Sequence, residues 1–310
     1  MKKVFLFGFL LLVAAFLSGC GGGTPQSVST SSDQPTLSQS PDTSDSEESS
    51  PPRTGPYTIP GTYGTITLEN GYKIPKDALF IDIRNDWERQ NWQQDGDELV
   101  NPNLPQGSVG NAVYEYRDQN RQNPRQVRDE FVDEVLNLAK NNKHRHIILI
   151  CHSSSRTKKA AKLLSENGFT YIEQIDGGLN EWNAYHLPVG TVKEIRPASS
   201  HQIPEEALFI DVRNAWERDN GNYARGSLYG AVYEYRDKNG QQPRRVRPEF
   251  VNEVLNLAGG DRHKKIILIC HTSSRTTKAT KLLTENGFTD IAHIKGGLDA
   301  WKANSLPLGE

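Results

Sequence analysis

Cysteine, methionine and net charge are all scarce in this chain. Its 310 residues include 3 Cys and 1 Met, and the formal charge is −2. Three cysteines cannot build a disulfide framework, and an odd count leaves at least one thiol unpaired. No Cys-x2-Cys pair occurs and the 8 His supply no zinc spacing, so no metal is predicted. Nothing in the sequence calls for an organic cofactor either. The missing basic excess argues against a nucleic-acid partner. What is present is a hydrophobic share of 35% with 5 Trp, 11 Tyr and 10 Phe, enough to build real cores. At about 150 residues per domain the length predicts two domains. A mean hydropathy of −0.65 also calls for a strongly polar segment somewhere.

The N-terminus accounts for one cysteine. Lys2 and Lys3 precede an apolar run from Val4 to Leu17, followed by Ser18-Gly19-Cys20. That is the pattern of a secretory signal, and the run is too short for a comfortable spanning helix. Leu17-Ser18-Gly19-Cys20 resembles the bacterial lipobox. The resemblance implies removal of residues 1–19, lipidation of Cys20, and an exported protein anchored to a bacterial membrane in the cell envelope or periplasm. Losing Lys2 and Lys3 would take the charge from −2 to −2 − 2 = −4. Residues 20–57 are rich in Gly, Ser, Thr, Pro and acid. Such a segment buries too little to offset its ordering entropy, and is read as a disordered tether.

The remainder is one unit written twice. Ile74–Asn85 recurs as Ile203–Asn214, and Ala112–Asp118 as Ala231–Asp237. Between Ile147–Thr170 and Ile266–Thr289, 20 of 24 positions are identical. The offset is 129 residues early and 119 later, so the first copy carries ten extra residues between Glu88 and Gly107. Its segment Asn91–Gly96 is polar and reads as a loop. The expected domains are 58–189 and 190–310. Each alternates strand and helix signals: the buried run Ile147–Ile150, the helical stripe of Phe131, Val135 and Leu138, and the helix stop at Asn167-Gly168. This predicts an α/β class, with each copy a mostly parallel sheet carrying helices on both faces.

Cys151 and Cys270 each end an apolar strand and open a short loop into a helix. The loops are Cys151-His152-Ser153-Ser154-Ser155-Arg156 and Cys270-His271-Thr272-Ser273-Ser274-Arg275. Sites in open α/β sheets form at the carboxyl ends of strands. A helix N-terminus offers free N–H groups and partial positive charge, which favour a thiolate nucleophile. A loop curled round the sulfur would aim successive N–H groups at it, and the Arg would close that nest. His152 and His271 stand where they could assist proton transfer or meet an anion. A cysteine ending a buried strand can also be just a small hydrophobe. Two such cysteines, each with a Ser/Thr loop and an Arg at the same spacing, point to use.

At these residues both copies resemble the rhodanese (sulfurtransferase) family. The resemblance rests on Asp82-Ile83-Arg84 and Asp211-Val212-Arg213, on Glu88 and Glu217, on the Cys-x4-Arg loops, and on Gly177-Gly178 with Trp182 and Gly296-Gly297 with Trp301. Gly226–Ala231 is similar to the family's Gly-His-Ile-x-Gly-Ala, with Ser227 for His. The first copy departs further at Gly107–Ala112. The resemblance implies that Cys151 and Cys270 take a sulfane sulfur from a small donor such as thiosulfate and pass it, as a persulfide, to a thiol or cyanide. Ser154 and Ser273 stand where many active members have Gly, acceptable only where the backbone does not need positive φ.

Two other functions compete. Phosphatases and arsenate reductases use a similar Cys/Arg loop, but with five intervening residues rather than four. A rhodanese-like module that only binds partners usually lacks the cysteine, and neither copy does. A last repeated feature is Tyr114-x-Tyr116-Arg117 with Arg125 and Arg128, matched by Tyr233-x-Tyr235-Arg236 with Arg244, Arg245 and Arg247. It reads either as a solvated edge or as a basic, aromatic wall for an anionic donor.

Overall fold

The computed structural model describes residues 59–310 apart from positions 121 and 199. Cys20 and the segments expected to be a leader, 1–19, and a tether, 20–57, lie outside them. The first repeat runs β1 (Gly64–Ile66), β2 (Leu79–Asp82), α1 (Asp86–Arg89), β3 (Gln93–Asp95), β4 (Glu98–Pro105), the short pair β5 (Glu115–Tyr116) and β6 (Gln126–Val127), α2 (Phe131–Leu138), β7 (Ile147–Ile150), α3 (Ser155–Glu166), β8 (Ile172–Ile175) and α4 (Gly178–Ala184). The second runs β9 (Val189–Ile195), β10 (Leu208–Asp211), a 3-10 segment (Ala215–Gly221), β11 (Glu234–Tyr235), β12 (Arg245–Val246), α5 (Phe250–Leu257), β13 (Ile266–Ile269), α6 (Ser274–Glu285), β14 (Ile291–Ile294) and α7 (Gly297–Ala303). No helix among the described residues is long and apolar enough to cross a membrane.

Each repeat forms a parallel sheet of the same order, β1-β8-β7-β2 and β9-β14-β13-β10. The central strands read as unbroken apolar runs because both faces are covered. Alternate residues of one strand serve opposite cores. Leu79, Ile81, Ile147 and Leu149 meet Phe131 and Val135 of α2 and Ala160 and Leu164 of α3. Phe80, Ile148 and Ile150 meet Leu179 and Trp182 of α4. The second repeat copies this with Phe250 and Val254 on one face and Leu298 and Trp301 on the other.

The ten extra residues are not a loop. They extend the first repeat into the antiparallel hairpin β3–β4, and that hairpin joins the sheet of the second repeat. β4 pairs with β9 from Glu98↔Lys193 to Asn101↔Gly190, then shifts register before Pro105↔Val189. The shift contains Pro102, which has no N–H to give a ladder and is placed where the ladder breaks. Leu99 enters the second core and Trp92 packs against it. Polar residues at Asn91–Gly96 gave a loop signal because β3 is exposed throughout and alternation never develops.

Candidate active site

Each cysteine leaves the carboxyl end of a fully buried strand and is itself 1% exposed. The closing Gly-Gly pair explains the local path. Leu179 N–H donates to Cys151 O (2.8 Å), and Asn180 N–H to His152 O (3.2 Å). Leu298 and Asp299 do the same for Cys270 and His271. A Cβ on Gly178 would stand 2.4 Å from Cys151 O, and one on Gly297 2.5 Å from Cys270 O. Only glycine lets the last helix approach the loop this closely.

Ser154 and Ser273, the N-caps of α3 and α6, have φ of +60° and +68°. The backbone at both positions therefore adopts the left-handed turn that glycine would take without strain. Serine carries it at a cost of order 1 kcal/mol.

The loop arginines are buried and bound. Arg156 donates through both terminal nitrogens to Glu88, each at 2.7 Å, and Arg275 grips Glu217 identically. Glu88 and Glu217 also accept from the backbone N–H and side chain of Asn85 and Asn214, closing a capping box. Burial pushes both carboxyls up, but the guanidinium and asparagine bonds outweigh it and hold each at about 2. The arginine expected to close the nest thus brings its own counter-charge. Arg84 and Arg213 fold back on Asp82 and Asp211 and donate to Glu88 O and Glu217 O, fixing the segment that carries the glutamate.

The remaining predicted loop residues separate. His152, Ser153, Ser155, His271, Thr272 and Ser274 are exposed. His271 turns outward to Asp299 at 3.3 Å, both more than half exposed. Neither histidine reaches its neighbouring sulfur. Among the described residues the hydrogen-bond partner of each Sγ is a threonine hydroxyl, Thr157 at 3.9 Å and Thr276 at 3.7 Å. The loop N–H groups expected at the sulfur make no hydrogen bond to it. A cleft of about 540 Å³ opens beside the Cys270 loop, lined by Trp216, Glu217, Arg236, His271, Thr272 and Arg275. A second cavity, about 340 Å³, lies between the repeats near the start of β2 and includes none of the loop residues. No cluster among the described residues could hold a metal ion.

The repeated Tyr/Arg feature is mostly structural. Tyr114 and Tyr233 are buried edge-on to Phe131 and Phe250. Arg117 and Arg236 pair with Glu115 and Glu234 at 2.6 Å, and Arg128 and Arg247 with Glu134 and Glu253. Only Arg236 of this set borders the cleft. Sequence reading missed His293 and Gln174, buried beneath the loops, and their partners on the adjacent strands, Glu194 and Thr65. The signal was there: His293 and Gln174 occupy equivalent places in near-identical repeats, as do Glu194 and Thr65.

A doubly covered parallel sheet, with a cysteine loop at its carboxyl end and an arginine clamped to the entry segment, defines the class. The sequence model of the rhodanese-like domain matches residues 68–185 and again 197–304, and the chain belongs to that family. It is 34% identical over 94 residues to a tRNA uridine(34) hydroxylase of Nitrobacter hamburgensis, covering 30% of this chain and 31% of that one. It is 31% identical over 99 residues to thiosulfate sulfurtransferase 16, chloroplastic, of Arabidopsis thaliana, covering 32% and 77%. Against rhodanese-like domain-containing protein 17 of the same plant the figures are 29% over 100 residues, 32% and 61%. A solved thiosulfate sulfurtransferase from Pseudomonas aeruginosa aligns with 15% identity over 75% of this chain and 40% of that one, at a TM-score of 0.28. The hydroxylase and protein 17 are thus matched over less than two thirds of their own length.

Proposed function

We propose that this protein is a sulfurtransferase with a site in each repeat, centred on Cys151 and Cys270. The observation that carries this reading is the repeated constellation itself. In both copies a cysteine leaves a buried strand, its loop opens α3 or α6, and a Glu-clamped arginine fixes the loop's far side. The cysteine thiolate attacks the outer sulfur of a donor such as thiosulfate. The donor's S–S bond breaks, sulfite leaves with the bonding pair, and the enzyme holds a persulfide. Cyanide or a thiolate then attacks the outer sulfur, and the cysteine thiolate is regenerated. The four-residue spacing between Cys and Arg supports a loop that serves one sulfur atom rather than a tetrahedral oxyanion.

The named hydroxylase shares 94 residues with this chain, about one rhodanese-like segment, so its name does not extend to this chain's reaction. Domain limits of 58–189 and 190–310 belong to the same proposal, as do export and membrane anchoring through lipidated Cys20, which rest on the sequence pattern alone. The test is incubation with thiosulfate followed by peptide mass mapping. One added sulfur on the Cys151 or Cys270 peptide, with matching sulfite release, is the expected result. If no sulfane donor loads either cysteine, the proteins act instead as binding modules.

A further inference from the structure

The two loops are near copies, but what lies beneath them differs. Thr157 and Thr276 occupy equivalent places, and each hydroxyl is 2.9 Å from the carbonyl of its loop serine. Under Thr157 stands Gln174, whose Oε1 accepts from the Thr157 hydroxyl at 2.9 Å and whose Nε2 donates to Thr65 at 3.2 Å. Under Thr276 stands His293, with Nδ1 3.3 Å from the Thr276 hydroxyl. Opposite Gln174 on the adjacent strand is Thr65; opposite His293 is Glu194. The buried residue and its partner on the edge strand both differ between the repeats.

A hydroxyl has one hydrogen to give. Thr157 faces two acceptors, Ser154 O and Gln174 Oε1, so it can only receive the hydrogen of Cys151, which donates to it. Ionising Cys151 would pull that hydroxyl away from buried acceptors, and an amide oxygen is no base. Beneath Cys270, Thr276 also faces a carbonyl acceptor, Ser273 O, but it has no second fixed acceptor, and either partner of its Sγ–Oγ contact can be the donor. The next group along is an imidazole, which can take a proton. His293 is fully buried, and its Nε2 has no hydrogen-bond partner among the described residues while lying 3.5 Å from Glu194 Oε1. Glu194 in turn is gripped by Lys295.

We propose that His293 receives the thiol proton of Cys270 through Thr276, with Glu194 holding the imidazolium, and that Cys151 has no such route. The Cys270 S–H bond breaks as a Thr276 O–H bond forms, while the hydroxyl's first hydrogen turns from Ser273 O to His293 Nδ1 and passes to that nitrogen. No oxidant or co-reactant is needed. Burial holds His293 below the usual histidine range, and Glu194 works against that; a ring that is neutral at rest is what a proton acceptor must be. The charged groups facing the relay are Glu194 and Lys295 below and the Arg275–Glu217 pair beside the thiol. The last pair has its copy in Arg156–Glu88, so it does not separate the two sites. His293 is therefore a positioning residue that makes Cys270 the faster of two nucleophiles. The inference rests on the sulfurtransferase reading for its purpose.

Its test needs no sulfur donor. Ultraviolet thiolate absorbance is followed between about pH 5 and 9 in Cys151→Ser and Cys270→Ser, with the double variant subtracted. Near neutral pH the Cys151→Ser protein, which retains Cys270, should show at least about threefold more thiolate than Cys270→Ser. Adding His293→Gln should bring its curve onto that of Cys151. Placing Gln174→His with Thr65→Glu in the Cys270→Ser protein should raise the thiolate signal of Cys151. Superimposed curves for the two single variants overturn the relay, as does a Cys270 curve that His293→Gln leaves in place. A thiolate difference without any persulfide would overturn only the sulfur-transfer reading. Persulfide at both sites with equal curves would overturn only the relay.

Discussion

At the scale of single residues, the loop serines and the clamped glutamates decide how the site is held. Ser154 and Ser273 sit at positive φ without being glycine. A glycine there should be tolerated, because relieved strain offsets the added freedom of the unfolded chain. A β-branched residue should not be: Ser273→Val is expected to cost about 2 kcal/mol, read from the denaturant midpoint, against less than about 1 for Ser273→Gly. Equal losses for both variants would contradict the conformational argument. The glutamates make a separate prediction. Glu217 is held at about 2 in the folded protein, below an ordinary carboxylate. Its contribution is therefore fully present above about pH 4.3 and is lost as pH falls through about 2. Glu217→Gln, which leaves Arg275 buried without its partner, should cost on the order of 2–3 kcal/mol near neutral pH. It should also flatten the fall in stability between those two pH values. A parent and variant with parallel acid profiles would show that the clamp does not carry that dependence.

At the scale of elements, most of the repeat was legible. The runs at Ile147–Ile150 and Ile266–Ile269 predicted doubly covered strands because nothing polar interrupts them, and each is fully buried. The Cys-x4-Arg loops were legible as strand-to-helix junctions for the same reason. Three things were not. The hairpin β3–β4 escaped because its partner strand lies some 90 residues on, in the other repeat, so no local pattern reports the pairing. The glutamate partner of each loop arginine escaped because the pair spans 68 and 58 residues of sequence. His293 and Gln174 escaped because a single buried polar residue in an apolar strand carries no periodic signal. The hairpin now makes its own prediction. β4 covers an edge of β9 that would otherwise present unpaired N–H groups. Leu99→Asp, placing a charge in the second core, should cost about 3 kcal/mol and speed hydrogen exchange at β9 amides more than at those of β1. Unchanged exchange in β9 would mean that the hairpin only rests on the sheet.

At the scale of the whole molecule, the first repeat reaches into the second rather than merely preceding it. Gln90 and Trp92 donate to Glu285, Gln106 to Thr289 O, and Asn111 to Asn286, beside the shared ladder of β4 and β9. The two cysteines are thereby carried on one folded unit, each with its own loop and its own clamp. The most direct measurement of the central claim is the intact mass of the protein after thiosulfate treatment, for the parent, Cys151→Ser, Cys270→Ser and the double variant. A gain of up to two sulfur atoms is expected in the parent, one in each single variant with Cys270 loading first, and none in the double variant. Sulfur gained equally by the double variant, or by no form of the protein with any sulfane donor, would contradict it.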